Sequence, residues 1–362
     1  MGSKQSIGLQ PVDCGENPNA HAFVRELHQS FKQAQKAVVG CADRYYRIGH
    51  LTIRVCLAGP AMEPLIGHAM EHLRCAEAAL PDLTVCLWDS VSTGISAPSP
   101  PWTKDDYLAR GEIRGFTGSR FYARFEFGSC TLNVLDLQSN LGMYWIRDAR
   151  DLPYYESAAP FWVIFHWWLR GHGCQLIHAA AVGKPSGGVL LAGKGGSGKS
   201  TTALACLKSE LDYVSDDYCV LSLQAEPFVH SIYCTAKLDQ EAFRRFPSLD
   251  AIIANRNQIA TEKLCLLLHE SFPGKVISGF PVHALLIPKI IGTPSTSIRP
   301  ASAAAGFTAL APSTLFQLAG AGSEASRSMA AFLRRVPCYY LDLGTELGEI
   351  PNVILKFLAK DD

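Results

Sequence analysis

One glycine-rich segment constrains the fold of this chain more than any other feature. It reads Gly193-Lys194-Gly195-Gly196-Ser197-Gly198-Lys199-Ser200, between an apolar run at 188–192 and a helix-forming run at 201–207. This is the pattern GxxxxGK[ST], in which glycines let backbone N–H groups curl around phosphate oxygens. The N-terminus of the following helix adds positive potential. The segment predicts a strand, loop and helix that bind a nucleoside triphosphate through residues 193–201, Thr201 included.

Two side chains at the end of this segment have predictable tasks. Lys199 can reach the β- and γ-phosphates, and the Ser200 hydroxyl can ligate Mg²⁺. We therefore expect ATP and Mg²⁺ as cofactors. The motif alone does not separate a GTPase, an ATPase, a transporter motor and a kinase.

Composition excludes several classes of protein. The 362 residues carry 33 Lys and Arg against 33 Asp and Glu, so the net charge is zero and no basic face for nucleic acid is indicated. No stretch of 18 apolar residues predicts a membrane helix. The 12 cysteines form no CxxC pairs, which favours a reducing, cytoplasmic location without disulfides or structural zinc. The sequence leaves open whether the protein forms a homo-oligomer.

The chain length predicts about two domains. Residues 1–150 read as an α+β part, mostly sheet, with a helix at 22–37, another at 64–79 and strands that include 51–57 and 83–88. We expect residues 1–150 either to bind the substrate or to form a structural cover over the sheet of the C-terminal part. Residues 151–362 change to α/β order: a strand at 175–182, the strand and loop of the glycine-rich segment, a helix and a strand near 213–214.

Two further sites accompany the glycine-rich segment. Asp216 and Asp217 follow a short strand 17 residues after Lys199, where one acid can hold Mg²⁺ and the other can accept a proton from an attacking hydroxyl. His178 lies 21 residues before Lys199, on a strand expected to run beside the one that precedes the loop. It can stabilise phosphoryl charge or move a proton, or it can be a buried structural histidine.

Together, the order of histidine, glycine-rich loop and paired aspartates resembles the catalytic domain of the HPr serine kinase/phosphorylase family, over about residues 174–221. That family has a P-loop fold of the phosphoenolpyruvate carboxykinase type. The resemblance implies that His178, Lys199 and Asp216 are catalytic, with Asp216 accepting the serine proton. It also implies that Ser200 ligates the metal. With Asp216 as the proton acceptor, we expect Asp217, the other acid of the pair, as a further metal ligand.

The sequence departs from the family pattern in two places. Ala179 follows the histidine where the family has glycine. The family's glutamate-containing stretch beyond the aspartates is replaced by residues 235–241, where Glu241 stands near the distance of the metal-binding glutamate and Lys237 is a candidate phosphate contact. We therefore do not expect the reverse, phosphorylase reaction. Arg299, Arg334 and Arg335 are candidate extra cations or ordinary surface residues.

The layout also resembles HPr-kinase-like proteins encoded beside ribosomal peptide pathways, including lasso peptide clusters, with similarity at 311–318 and 334–339. This resemblance implies an ATP- and Mg²⁺-dependent kinase that transfers the γ-phosphoryl group to a serine hydroxyl of a small protein or precursor peptide. Two alternatives stay open: a kinase of a small-molecule hydroxyl, and a non-catalytic nucleotide-dependent switch.

Overall fold

The computed structural model describes residues 17–118, 120–258, 262–315, 318 and 322–359, which form a mixed α/β fold as the sequence predicts. The strands are β1 (Ala42–Ile48), β2 (Leu51–Leu57), β3 (Leu83–Asp89), β4 (Glu112–Thr117), β5 (Phe121–Glu126), β6 (Thr131–Asp136), β7 (Leu141–Ile146), β8 (Cys174–His178), β9 (Ala180–Lys184), β10 (Gly187–Leu191), β11 (Asp212–Ser215), β12 (Tyr218–Ser222), β13 (Phe228–Ser231), β14 (Thr235–Leu238), β15 (Leu264–Leu267), β16 (Gly279–Ile290), β17 (Ser297–Ala301) and β18 (Cys338–Leu343). The helices are α1 (Ala20–Ala37), α2 (Glu63–Ile66), α3 (Ser90–Thr93), α4 (Tyr154–Ser157), α5 (Trp162–Arg170), α6 (Lys199–Cys206), α7 (Gln240–Phe243), α8 (Ala303–Leu315), α9 (Gly322–Leu333) and α10 (Glu349–Leu358).

The first sheet has the strand order β1-β2-β3-β7-β6-β5-β4. Its central strands β2, β3 and β7 are parallel, and both of its faces are covered. Helix α1 buries Phe23, Leu27 and Phe31 on one face, while α5 packs on the other. Because strands buried on both faces need apolar residues throughout, β2 and β3 are nearly continuous apolar runs.

The second sheet carries the glycine-rich segment. Its strand order is β11-β9-β10-β16-β13-β12-β8, and β18 adds to β16. Strand β10 is parallel to β16, and β16 is parallel to β18. The loop after β10 therefore leaves the sheet at the carboxyl end of its parallel strands, where open α/β sheets place ligands.

Two sequence predictions are wrong in detail. The helix expected over 64–79 is only α2 followed by a 3₁₀ turn at His68–Leu73, because the chain then joins the edge of β1, where the Cys75 N–H donates to the Tyr45 carbonyl at 2.9 Å. The strand expected over 175–182 breaks at Ala179 into β8 and β9. Strand β9 runs beside β10, whereas β8, which carries His178, pairs with β12.

The apolar core is continuous across the proposed division at residue 150. One cluster contains Ile53 and Val85 of the first sheet together with Trp168 of α5 and Val220 of β12. The division into 1–150 and 151–362 stays a prediction, and residues 1–16, 316 and 317 lie outside the described residues. Among the described helices, none has the length and apolar character needed to cross a membrane.

Candidate active site

The glycine-rich loop joins the end of β10 to the start of α6. Gly198, which caps α6, has φ = +104°, a left-handed conformation that favours glycine. A Cβ on Gly198 would lie 2.3 Å from Cδ1 of Leu343 in β18, so a side chain there would also collide. The Ser197 hydroxyl is buried and has no hydrogen-bond partner among the described residues. The loop thus has the backbone shape and an unused polar group that suit a bound phosphate.

Lys199 is the first residue of α6 and is only 7% exposed. Its Nζ donates to the carbonyl of Gly193 at 2.8 Å and to that of Lys194 at 3.3 Å. Burial lowers its pKa, against the opposing effect of Asp216 and Asp217. An ammonium group held across the loop is positioned to meet phosphate oxygens.

Asp216 follows β11 directly and is 3% exposed. Its Oδ2 accepts the backbone N–H of Lys237 at 2.8 Å, while Oδ1 is buried without a hydrogen-bond partner among the described residues. Burial raises the pKa of this carboxyl, and the nearby Ser200 hydroxyl and Lys237 N–H oppose the rise only in part. A buried carboxylate with a raised pKa and a free oxygen is typical of a proton acceptor.

Asp217 has a different environment. Its Oδ1 is 2.6 Å from Nε2 of His178, and its Oδ2 accepts Nζ of Lys237 at 2.7 Å. Burial alone would raise the pKa of Asp217, but the Lys237 charge and the His178 hydrogen bond outweigh it and hold the pKa well below its usual range. In turn, Asp217 outweighs the effect of burial on Lys237 and raises the pKa of the lysine. This carboxylate is ionised and shared by two side chains.

The strand breaks explain how His178 reaches Asp217. The segment 174–184 breaks at Ala179, between β8 and β9. The segment 212–222 breaks at Asp216 and Asp217, between β11 and β12. His178 is opposite Tyr218 in the register of β8 and β12, with its ring edge-to-face with that of Tyr218 at 5.4 Å. The Nδ1 atom of His178 is buried without a partner among the described residues.

These groups surround one cleft of about 450 Å³, a size that accommodates small ligands. Its lining contains the sequence-predicted residues His178, Gly195, Gly196, Ser197, Gly198, Lys199, Ser200, Thr201, Asp216, Asp217, Lys237 and Glu241. Gly193 and Lys194 contribute the carbonyl groups that bind Lys199.

The cleft also contains two cations that sequence reasoning missed, Lys263 and Arg245. Lys263 precedes β15, and Arg245 follows α7. Neither belongs to a motif, so only the pairing of β14 with β15 and the turn after α7 indicate where they lie. In contrast, Arg299 is bound to Asp342, with Nε 2.6 Å from Oδ2, and neither Arg334 nor Arg335 belongs to the lining of this cleft.

The oxygen atoms present fit a magnesium ion in part. The buried, unpartnered Oδ1 of Asp216 and the Ser200 hydroxyl are hard donors of the type Mg²⁺ prefers, and phosphates usually supply the rest. Both oxygens of Asp217 are already bonded, and Glu241 is exposed in the first turn of α7. Within the described ranges, no group of three or more His, Cys, Asp or Glu residues could hold a metal on its own.

The chain matches no protein-family model and no curated protein sequence. Among solved structures it is similar to the HPr(Ser) kinase/phosphatase from Coxiella burnetii, at 12% sequence identity and with a TM-score of 0.30. The match covers 52% of this chain and 98% of that chain. A likeness at this TM-score assigns neither a residue nor an activity.

Proposed function

We propose that this protein is an ATP- and Mg²⁺-dependent kinase that phosphorylates a serine hydroxyl of a small protein or precursor peptide. The observation that carries the proposal is the buried, unpartnered oxygen of Asp216 in the same cleft as Lys199, Ser200 and the glycine-rich loop. A nucleotide-binding loop alone requires no proton acceptor, whereas transfer to a hydroxyl does.

The residues divide the transfer between them. Asp216 accepts the hydroxyl proton as the acceptor oxygen bonds to the γ-phosphorus and the bond to the β-phosphate oxygen breaks, so that ADP leaves. Lys199 and the loop N–H groups hold the phosphate oxygens in line with the acceptor. Magnesium, when bound with the nucleotide, neutralises charge on those oxygens. The Ser200 hydroxyl would help to hold it, and the phosphate oxygens would supply further ligands.

Asp217 is better placed as an anchor than as a metal ligand. A metal ion at Oδ2 would have to displace the Lys237 ammonium, which lies 2.7 Å away, and one at Oδ1 would displace His178. We propose that Asp217 positions Lys237 and His178 at the γ-phosphate end of the cleft. Lys237 and His178 would then stabilise the charge of the transferred group. Glu241, exposed at the cleft, stays a candidate outer ligand.

The first experiment tests nucleotide binding. With Mg²⁺, ATP at about 100 times its Kd should stabilise the protein by about 2.7 kcal/mol, which a thermal shift detects readily. Lys199→Ala should abolish this shift and leave the fold intact, since its ammonium contacts the loop rather than the core. Lys208→Ala is the matched control, because Lys208 lies just beyond the same helix and does not line the cleft.

The second experiment tests transfer, with γ-labelled ATP and a pool of serine-containing peptides. The proposal predicts labelled peptide with the wild-type protein and none with Lys199→Ala. Binding of ATP without transfer to peptides or to small alcohols would identify a nucleotide-dependent switch. Transfer to small alcohols alone would identify a small-molecule kinase. The absence of any nucleotide-dependent shift would refute the proposed site.

A further inference from the structure

A second cavity, of about 280 Å³, adjoins the candidate active site. It is lined by Tyr154, Tyr155, Lys237, Glu262, Lys263 and Cys265. Lys237 and Lys263 also line the cleft, so the two spaces share a wall. Because Lys237 binds both Asp217 and Asp216, the cavity lies at the carboxylate end of the cleft, beside the proposed proton acceptor.

Two charged side chains of this cavity, Glu262 and Lys237, are already bonded within the protein. The carboxylate of Glu262 accepts the backbone N–H groups of Tyr154 and Tyr155 at 3.2 and 3.0 Å. Nζ of Lys237 is bound by Asp217 and lies 3.5 Å from the Tyr155 carbonyl. The surface of the cavity is mainly apolar and includes the rings of Tyr154 and Tyr155, with the exposed Lys263 at its edge. Because most of its surface is apolar, such a space suits a large apolar side chain better than a polyhydroxylated molecule.

An exposed aromatic surface continues from the mouth of the cavity. We call Tyr107, Phe125, Phe127 and Tyr155 the aromatic strip. Phe127, in the turn between β5 and β6, is 60% exposed, and Tyr155 is 44% exposed. The Phe127 ring lies 4.8 Å from that of Tyr107 and 5.1 Å from that of Phe125. Tyr155 reaches the same turn, because a Cβ on Gly128 would lie 3.9 Å from the Tyr155 hydroxyl.

We propose that the cavity and the aromatic strip bind the acceptor polypeptide. The cavity takes a large apolar side chain close to the acceptor serine, and the strip binds the chain beyond it. This inference rests on the proposed kinase function. A polypeptide fits better than a small molecule because the exposed rings extend the apolar surface outside the cavity, where only a longer ligand makes contact. Exposed apolar patches of this kind mark interaction sites.

The test uses purified full-length protein and synthetic serine peptides. The flanking positions hold leucine, phenylalanine, alanine or glutamate in turn. The wild-type protein should show a KM at least tenfold lower for one leucine or phenylalanine position than for the alanine peptide. Tyr155→Ala and Phe127→Ala should each raise the KM of the preferred peptide about fivefold or more. Both variants should leave kcat and the Kd for ATP within twofold, because neither Tyr155 nor Phe127 lines the nucleotide cleft.

Leu80→Ala is the matched control, since Leu80 is 90% exposed and does not belong to the cavity or the strip. It should leave the KM unchanged. Transfer to peptides with no apolar preference, or with a KM that neither variant alters, would overturn this inference and leave the kinase proposal in place. Transfer to small alcohols alone would overturn it as well. A wild-type protein that binds no ATP would refute the proposed function and this inference together.

Discussion

The two sheets each bury an aspartate, and the two aspartates have opposite environments. Asp136 of the first sheet is 5% exposed and is bonded by Arg120, Ser139 and the Gln138 N–H. Burial would raise its pKa, but the Arg120 guanidinium and these hydrogen bonds lower it overall. Asp216 beside the second sheet is 3% exposed, and one of its oxygens has no hydrogen-bond partner within the described ranges. Burial raises the pKa of this carboxyl.

This is the difference expected between a structural acid and a reactive one. A buried carboxylate with a full set of partners contributes to stability, whereas one with a free oxygen costs stability and can accept a proton or a cation. Buried atoms without a hydrogen-bond partner in the described part of the chain also occur at Ser197, Thr202 and His178, around the same loop. Among the described residues, the second sheet thus leaves polar groups without partners around the candidate cleft.

The largest expected effect is on the rate of transfer. Asp216→Asn keeps the shape of the side chain but removes the proton acceptor, so kcat should fall by about 10²–10⁴. Stability at pH 7.5 should stay equal or rise, because no charge is buried. Steady-state kinetics and thermal unfolding check both parts. Undiminished transfer by this variant would show that Asp216 is not the proton acceptor and has a structural role instead.

The next effect concerns Asp217. Asp217→Asn should release Lys237 and His178 and lower kcat by about tenfold to a hundredfold, as misplaced groups do. If Asp217 is an anchor, the Mg²⁺ concentration needed for half-maximal ATP binding should not change. Calorimetric titration of ATP at several Mg²⁺ concentrations measures this. A markedly higher Mg²⁺ requirement would instead identify Asp217 as a metal ligand.

The comparison predicts the reverse result for Asp136. Asp136→Asn should lower the free energy of unfolding by about 1–3 kcal/mol, because the substitution removes the carboxylate charge that Arg120 binds, at a site where Arg120 is about a third exposed. Transfer and ATP affinity should be unchanged. Urea unfolding followed by fluorescence gives the difference. An activity loss larger than the loss of folded protein would contradict the purely structural role.

The smallest effect is at the contact between the two sheets. His72 follows α2 and its Nε2 lies 2.7 Å from the Ser231 hydroxyl in β13. Burial lowers the pKa of His72 to about 3 and that of His230 to about 4. Both pKa values lie below 6.5, the ordinary value for histidine, so the folded protein favours the neutral form of each ring. The stabilisation that follows is present above about pH 6.5 and is lost as the pH falls towards 4.

The free energy of unfolding should therefore be lower at pH 5.5 than at pH 7.5, by up to about 1 kcal/mol for each histidine. His72→Gln and His230→Gln should each flatten this dependence, since glutamine does not titrate. An unchanged pH dependence in the double variant would show that other groups cause it. The Asp136→Asn variant serves as the comparison, because it removes stability without removing these histidines.

Much of the fold could be predicted from the sequence, because long periodic patterns need little tertiary information. Helix α1 and strands β2 and β3 are close to their predicted bounds. The prediction of a helix over 64–79 is wrong because, after Leu73, contact with the edge of β1 outweighs helix propensity. The split at Ala179 could not be predicted, since no glycine or proline marks it and apolar residues lie on both sides, at 176–177 and 180–182.

The candidate site divides in the same way. Residues 193–201 and the paired aspartates form local motifs, so the sequence located them. The His178 and Lys237 contacts with Asp217 depend on strand register, which no local pattern encodes. Lys263 and Arg245 belong to segments without any motif and enter the cleft only through tertiary packing. The roles of all these residues remain predictions.

The contact between Gly198 and Leu343 has a consequence for the order of assembly. The loop is packed against β18, a strand close to the C-terminal end of the described residues. A growing chain folds its N-terminal segments first. On the ribosome, the loop is therefore made long before the strand that packs against it. A nascent chain that has already folded its first sheet would still lack the support for this loop until β18 emerges.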